Sequence, residues 1–292
     1  MRARDIVSYL FLALAWSLSF LVLVKVVAAF GWAGAVTLRC LLASATLIAT
    51  AKLLRRDIRF GPGWRPYAVV GATTVAGQLV GLSYGTPLIG TAMAAILVAA
   101  IPLFSMLISQ LWGLERMTAP RLVGLLAGMA GIVLLVGFPA VPVTPRFALG
   151  CAACLLASLS AAFGSNYASL HLRSAGSLEV TAGSFLAGGL MTLPLLLAVP
   201  VPAMPGPVDF LYLGMLACGM SALTYVTYFR LVSAIGPTRA ISVEFAVTVV
   251  AVLVGAVLLK EPLTTVQIVG AVVIVAGCML VLGLLPSRRR SA

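Results

Sequence analysis

Ten apolar stretches follow one another along nearly the whole chain, at roughly 6–24, 32–54, 66–84, 90–112, 121–138, 147–170, 180–199, 209–229, 238–259 and 265–285. A bilayer core about 30 Å thick needs about 20 helical residues to cross it, so each stretch has the length of a span. Lipid offers no hydrogen-bond partner to a bare peptide group, and a chain within it is therefore helical. Only 9% of the 292 residues are charged, against about 25% in soluble domains. The expected fold class is all-α, a polytopic membrane protein of ten transmembrane helices with the lipid bilayer as its main partner. Almost nothing is left over for a soluble domain.

Charge placement sets the expected orientation. With the N-terminus in the cytoplasm, Arg2, Arg4, Lys52, Arg55, Arg56, Arg59, Arg65, Arg116, Arg121, Arg173, Arg230, Arg239 and Arg288 to Arg290 fall in inner connectors. Lys25, Arg146 and Lys260 fall in outer ones, and Arg39 lies within a span. Lys and Arg accumulate on the cytoplasmic side of short loops. Both termini are thus expected inside, in the cell inner membrane, with an even number of crossings. This accounts for the net charge of +12 without nucleic acid, for which a basic stripe interleaved with aromatics would be needed. The first apolar run, about 19 residues, exceeds the roughly 7–15 of a secretory signal core and reads as a retained span.

Cysteine chemistry is not expected. Cys40, Cys151, Cys154, Cys218 and Cys278 all lie in apolar spans, and Cys151-x-x-Cys154 has no second pair or histidine near it. They read as small packed residues, with no disulfide, metal or cofactor.

The chain is built twice from one half. A shift of 146 residues places Ile89-Gly90 on Ile235-Gly236, Glu115 on Glu261, Gly124 on Gly270 and Gly131 on Gly277. A shift of 147 sets Trp16-Ser17-Leu18-Ser19-Phe20 against Phe163-Gly164-Ser165-Asn166-Tyr167. The proline-rich stretch from Pro139 to Pro145 separates the copies. Residues 1–140 and 145–287 are the expected five-helix repeats, followed by a basic cytoplasmic tail at 288–292. Five is odd, so the second repeat enters the bilayer upside down relative to the first. Inverted repeats are the architecture of alternating-access carriers, with the binding site near the midplane between halves. Gly124, Gly128, Gly131, Gly270 and Gly277 provide for close helix approach in lipid.

At these motifs the chain resembles the drug/metabolite transporter superfamily, specifically its EamA-type members of ten helices. The resemblance rests on the span-one motif, present as Trp16 to Phe20 and Phe163 to Tyr167, and on a signature between the fourth and fifth helices of each repeat. That signature stands as Gly113-Leu114-Glu115-Arg116-Met117-Thr118 and as Leu259-Lys260-Glu261-Pro262-Leu263-Thr264. It covers residues from about 6 to 285. The first copies depart from the pattern, with Ser17 where glycine is usual and Arg116 where the second copy has Pro262. The resemblance implies transport of small metabolites, commonly export of amino acids, with the nearest likeness to YddG-type exporters of aromatic and other amino acids. Nucleosides, nucleotide sugars and drug-like cations are the alternative substrates.

Candidate substrate contacts are few. Glu244 is the one carboxylate well inside a span, where an acid costs about 2.5–3.5 kcal/mol on insertion scales. It reads as an interhelical hydrogen-bonded carboxyl, as a contact for a substrate ammonium, or as a proton-coupling group. Val98 is its repeat counterpart. Arg39 reads as an anchor that snorkels outward or as a carboxylate contact; no lasting ion pair with Glu244 is expected, because the two lie at different depths. Trp16, Gln78, Tyr84, Asn166, Tyr167, Tyr225 and Tyr228 join apolar bodies to single polar atoms, suited to a small amphipathic substrate. Those on spans one, three, six and eight line the cavity in the family it resembles. The competing reading is an interfacial aromatic belt. Pro87, Pro102 and Pro237 mark candidate kinks around spans four and nine.

No paired intramembrane acids, histidine cluster or activated nucleophile is present, which disfavours an intramembrane enzyme. An ion channel is disfavoured by the lack of a filter motif or a ring of charge. No P-loop occurs, so a secondary carrier is expected, with or without ion or proton coupling, as a monomer or weak homo-oligomer.

Overall fold

The computed structural model describes residues 3–56, 58, 63–113, 118–137, 142–202, 204–235, 240–241, 243–258, 260 and 263–281. Arg2, Arg59, Glu115, Arg116, Pro237, Arg239, Glu261, Pro262 and the tail at 288–292 lie outside them, as does the side chain of Cys278. The first helix, α1, runs through Ala3–Leu53. At 1.5 Å per residue it would be about 75 Å long if straight, over twice the bilayer core. It breaks at Gly31, whose φ of 69° and ψ of 164° open to glycine alone. The first two apolar stretches therefore meet at a single residue, without the longer connector their spacing in the sequence had implied.

The rest of the first half comprises α2 (Trp64–Val70), α3 (Gln78–Ile89), α4 (Thr91–Val98), α5 (Ile101–Leu111) and α6 (Ala119–Gly137). A π-helical segment, Gly71–Gly77, joins α2 to α3 without a break. Pro102 stands in the first turn of α5, where a missing N–H costs nothing, and accounts for the interruption at Ala99–Ala100. Pro87 lies inside α3.

The second half comprises α7 (Pro145–His171), α8 (Ser177–Thr192), α9 (Leu195–Ala198), α10 (Pro207–Gly214), α11 (Thr224–Ile235), α12 (Val243–Leu258) and α13 (Thr265–Val281). A second π-helical segment, Met215–Leu223, joins α10 to α11. Helix starts are capped where the sequence supplies an acceptor. Thr144 Oγ1 accepts from Phe147 N at 3.1 Å, with Pro145 next to it. The signature Thr264 closes a capping box at α13: its Oγ1 accepts from Gln267 N at 3.1 Å while Gln267 Oε1 accepts from Thr264 N at 2.9 Å.

Among the described residues no strand occurs. Ala3–Leu53, Thr91–Leu111, Pro145–His171, Ser177–Ala198 and Pro207–Val232 are long and apolar enough to cross a membrane, and shorter apolar helices occupy the remaining stretches. The protein is an all-α polytopic membrane protein. Large apolar side chains face outward all along it, Leu10, Leu126, Leu156, Leu190 and Val257 among them, as a lipid-facing surface requires.

α6 and α13 pack together through glycine. A methyl group at Gly277 would stand 2.6 Å from both the Gly124 carbonyl oxygen and Gly128 N, and one at Gly131 would stand 2.8 Å from the Gly270 carbonyl oxygen. The small residues noted in the sequence thus close a contact within one chain, backbone against backbone, where lipid gives no hydrophobic drive for association. Cys40, Cys151 and Cys154 are buried free thiols, and Cys218 is a half-buried one.

Candidate functional site

A cavity near the middle of the bundle gathers side chains from both halves. Trp16 and Arg39 reach it from α1, Gln78 from α3, Tyr225 and Tyr228 from α11, and Glu244 from α12. Tyr225 Oη donates to Gln78 Oε1 at 3.3 Å, linking the halves across the cavity wall. The Trp16 ring sits 5.6 Å from Tyr225 and 5.4 Å from Tyr228, both tilted, which makes a three-ring wall in the favoured edge-biased geometry. Tyr225 and Tyr228 are three residues apart and share one helix face.

Arg39 departs from the outward snorkelling considered for it. Only 5% exposed, it turns inward, where Nε donates to Ser221 Oγ at 2.5 Å and Nη2 to the Met220 carbonyl at 3.5 Å. Both acceptors belong to the Met215–Leu223 π-helical segment. A π turn loosens the i→i+4 ladder, and such segments gather at functional sites. Glu244, 8% exposed, lines the same cavity. Among the described residues no ion pair joins it to Arg39.

Three sequence candidates are placed elsewhere. Asn166 is bonded to α5: Ser109 Oγ donates to its Oδ1 at 2.8 Å, and its Nδ2 donates to Ser105 Oγ at 2.8 Å and to the Ala162 carbonyl at 2.9 Å. Its amide is spent on holding α7 to α5. Tyr167 stacks on His171, centroids 4.1 Å apart, away from the cavity. Tyr84 packs edge-on against Trp32 at 5.8 Å, on an apolar groove with Phe163. That is the behaviour of an interfacial aromatic, since a flat ring with one polar tip suits the membrane–water boundary.

The structure also brings in residues the sequence did not single out. Ser19, Thr74 and Ser165 line the cavity. Ser19 lies three residues after Trp16 and Thr74 four before Gln78, so helix periodicity from the chosen anchors was the available signal. Ser165 sits inside the second copy of the span-one motif, one position before Asn166, a rotation of about 100° that separates cavity from helix contact. Ser165 shares the cavity wall with Tyr228. Val98, the repeat counterpart of Glu244, lines the same cavity. Among the described residues no cluster of His, Cys, Asp or Glu is arranged to hold a metal.

With this geometry in place, the comparisons identify the class. The profile of the EamA-like transporter family matches residues 5–137 and again residues 148–283, and the chain belongs to that family. That family is described as one of transporters. The chain is similar to the uncharacterized inner membrane transporter YedA of Escherichia coli (strain K12), 32% identical over 193 residues, which are 65% of this chain and 61% of that relative. The match thus spans less than two thirds of YedA. It is also similar to the protein PecM of Dickeya dadantii (strain 3937), 30% identical over 224 residues, 75% of this chain and 73% of the relative. A solved structure described only as the crystal structure of a protein superposes with a TM-score of 0.72 at 20% identity, over 100% of both chains, a likeness of fold alone.

Proposed function

We propose that this transporter is a secondary carrier that exports amino acids, aromatic ones included, or similar small amphipathic zwitterions across the inner membrane. The observation that carries the reading is one cavity lined by a carboxylate, a guanidinium and a three-ring aromatic wall, with no ion pair between Glu244 and Arg39 among the described residues. A substrate ammonium at Glu244 and a carboxylate toward Arg39 would neutralise both charges as the apolar side chain meets Trp16 and Tyr228. Buried charge left uncompensated in a span is expensive, so a zwitterion of matching shape gains from the pairing.

The transport cycle in this reading is alternating access by two inverted five-helix repeats, 1–140 and 145–287, crossing the bilayer ten times with both termini in the cytoplasm. Three observations support it. The family profile matches twice, once in each half. The two π-helical segments end at Gly77 and Leu223, a separation equal to the 146-residue repeat shift. Glu244 and its counterpart Val98 meet at the same cavity. Location in the inner membrane is supported by the description of YedA.

A second reading has one specific observation behind it. Arg39 is already bonded to Ser221 and Met220. If those bonds hold throughout the cycle, the cavity presents Glu244 alone among aromatic rings, and its substrate is an organic cation. Counterflow in proteoliposomes separates the two. Amino acid export is expected to give exchange of phenylalanine and none of its decarboxylated analogue phenethylamine. Exchange of phenethylamine alone would establish the cation reading, and exchange of nucleosides or nucleotide sugars alone would overturn both.

A further inference from the structure

A second chamber adjoins the central cavity and shares two of its wall residues, Ser165 and Tyr228. Because both linings include these two side chains, they form the septum between the compartments. The free volumes differ widely: about 60 Å³ in the central cavity and about 370 Å³ in the chamber. Sites that take small organic ligands run from about 300 to 1,000 Å³. In this conformation the chamber has room for an amphipathic metabolite and the central cavity has not.

Its lining has a definite chemistry. Among the described residues, Arg173 is the one charged side chain in the wall. Arg173 Nε donates to the Ser169 carbonyl, which holds the guanidinium against the end of α7, and among the described residues no bond engages its terminal nitrogens. Ser169 and Ser177 add hydroxyls beside it, while Leu172, Val180, Phe229 and Val232 form an apolar floor. A planar fork of donors next to an apolar surface fits a carboxylate carried on an apolar body. Among the described residues no carboxylate lines this wall to hold an ammonium, which is where the chamber differs from the cavity beyond the septum.

We propose that this chamber is a second ligand site that holds the anionic end of an amphipathic carboxylate at Arg173, before the ligand passes the Ser165–Tyr228 septum into the central cavity. Its ligand chemistry stands on the lining alone; its place as the stage before the cavity rests on the carrier reading above. By the distribution of basic residues the chamber opens to the cytoplasm, the side from which an exporter loads.

The test uses an introduced thiol as reporter. Ser169→Cys, in inside-out membrane vesicles, is expected to react with a membrane-impermeant methanethiosulfonate above the background of the native cysteines in wild-type vesicles. Both phenylalanine and 3-phenylpropanoate, which lacks the ammonium, are expected to slow that reaction at least about threefold, while phenethylamine leaves it unchanged. Adding Arg173→Glu should abolish the protection, and Ser177→Cys provides the same readout if Ser169→Cys fails to accumulate. The proposal is overturned if neither thiol reacts from the cytoplasmic side, if no carboxylate protects, or if protection survives Arg173→Glu. Protection by 3-phenylpropanoate without phenylalanine counterflow would uphold the chamber and sink the carrier reading; counterflow without protection would do the reverse.

Discussion

At the residue scale, the division of labour among polar side chains gives separable outcomes. Glu244→Gln keeps the size of the side chain and removes its charge, so the protein should accumulate and elute as wild type. Charged contacts contribute about 1.5–3 kcal/mol, and the apparent KM for phenylalanine in counterflow should rise about tenfold or more. An unchanged KM would remove Glu244 from the site. Asn166→Ala should behave oppositely. It strands the Ser105 and Ser109 hydroxyls on α5, a loss of about 1–3 kcal/mol. Thermal stability in detergent should fall while the KM stays within about twofold of wild type. Tyr84→Phe and Tyr167→Phe should leave both quantities unchanged, since neither hydroxyl faces the cavity.

The same residues tell what a one-dimensional reading can reach. Glu244, Arg39, Trp16 and the Tyr225–Tyr228 pair were legible because burying a charge or spacing aromatics three apart is conspicuous against an apolar background. Asn166 and Tyr167 were equally conspicuous and point elsewhere. What decides between cavity and helix contact is rotation about the helix axis, and without knowing which helices are neighbours that rotation has no origin. The inward turn of Arg39 was hidden for a related reason: its acceptors are a serine and a backbone carbonyl on a helix about 180 residues away, exposed by a π turn that leaves no mark in composition.

At the element scale, two devices position the site. The π-helical segments Gly71–Gly77 and Met215–Leu223 each precede a cavity residue, Gln78 in one case and Tyr225 in the other. Deleting one residue from the first, Ala72, closes the widened turn into ordinary α-helix and displaces the groups it sets at the cavity, Thr74 among them. Phenylalanine counterflow should drop at least about tenfold with the protein still folded by size-exclusion chromatography; Ala72→Leu, on an exposed position, should retain it. The glycine contact between α6 and α13 is the second device. Gly277→Leu places a side chain where even a methyl group meets backbone at 2.6 Å, and overpacking of this kind costs about 1–3 kcal/mol. Loss of thermal stability without a change in KM is expected. Helix positions themselves were readable, because lipid permits little else; the merging of the first two spans across Gly31 was not, since glycine in a connector does not announce a positive φ.

At the scale of the whole molecule, the account depends on two homologous halves facing each other across a shared cavity in opposite senses. Packing, cavity and family membership are all compatible with a transporter; in the proposed cycle, opposed insertion of the halves would make the central cavity reachable from either side in turn. Thr118 and Lys260 lie just after and just before repeat-equivalent acids, Glu115 and Glu261, and both are exposed. Cysteine is introduced at each position singly and labelled with an impermeant thiol reagent in right-side-out and inside-out vesicles. Two inverted repeats require Thr118→Cys to react from the cytoplasmic face and Lys260→Cys from the opposite face; reaction of both from the same face would contradict the account.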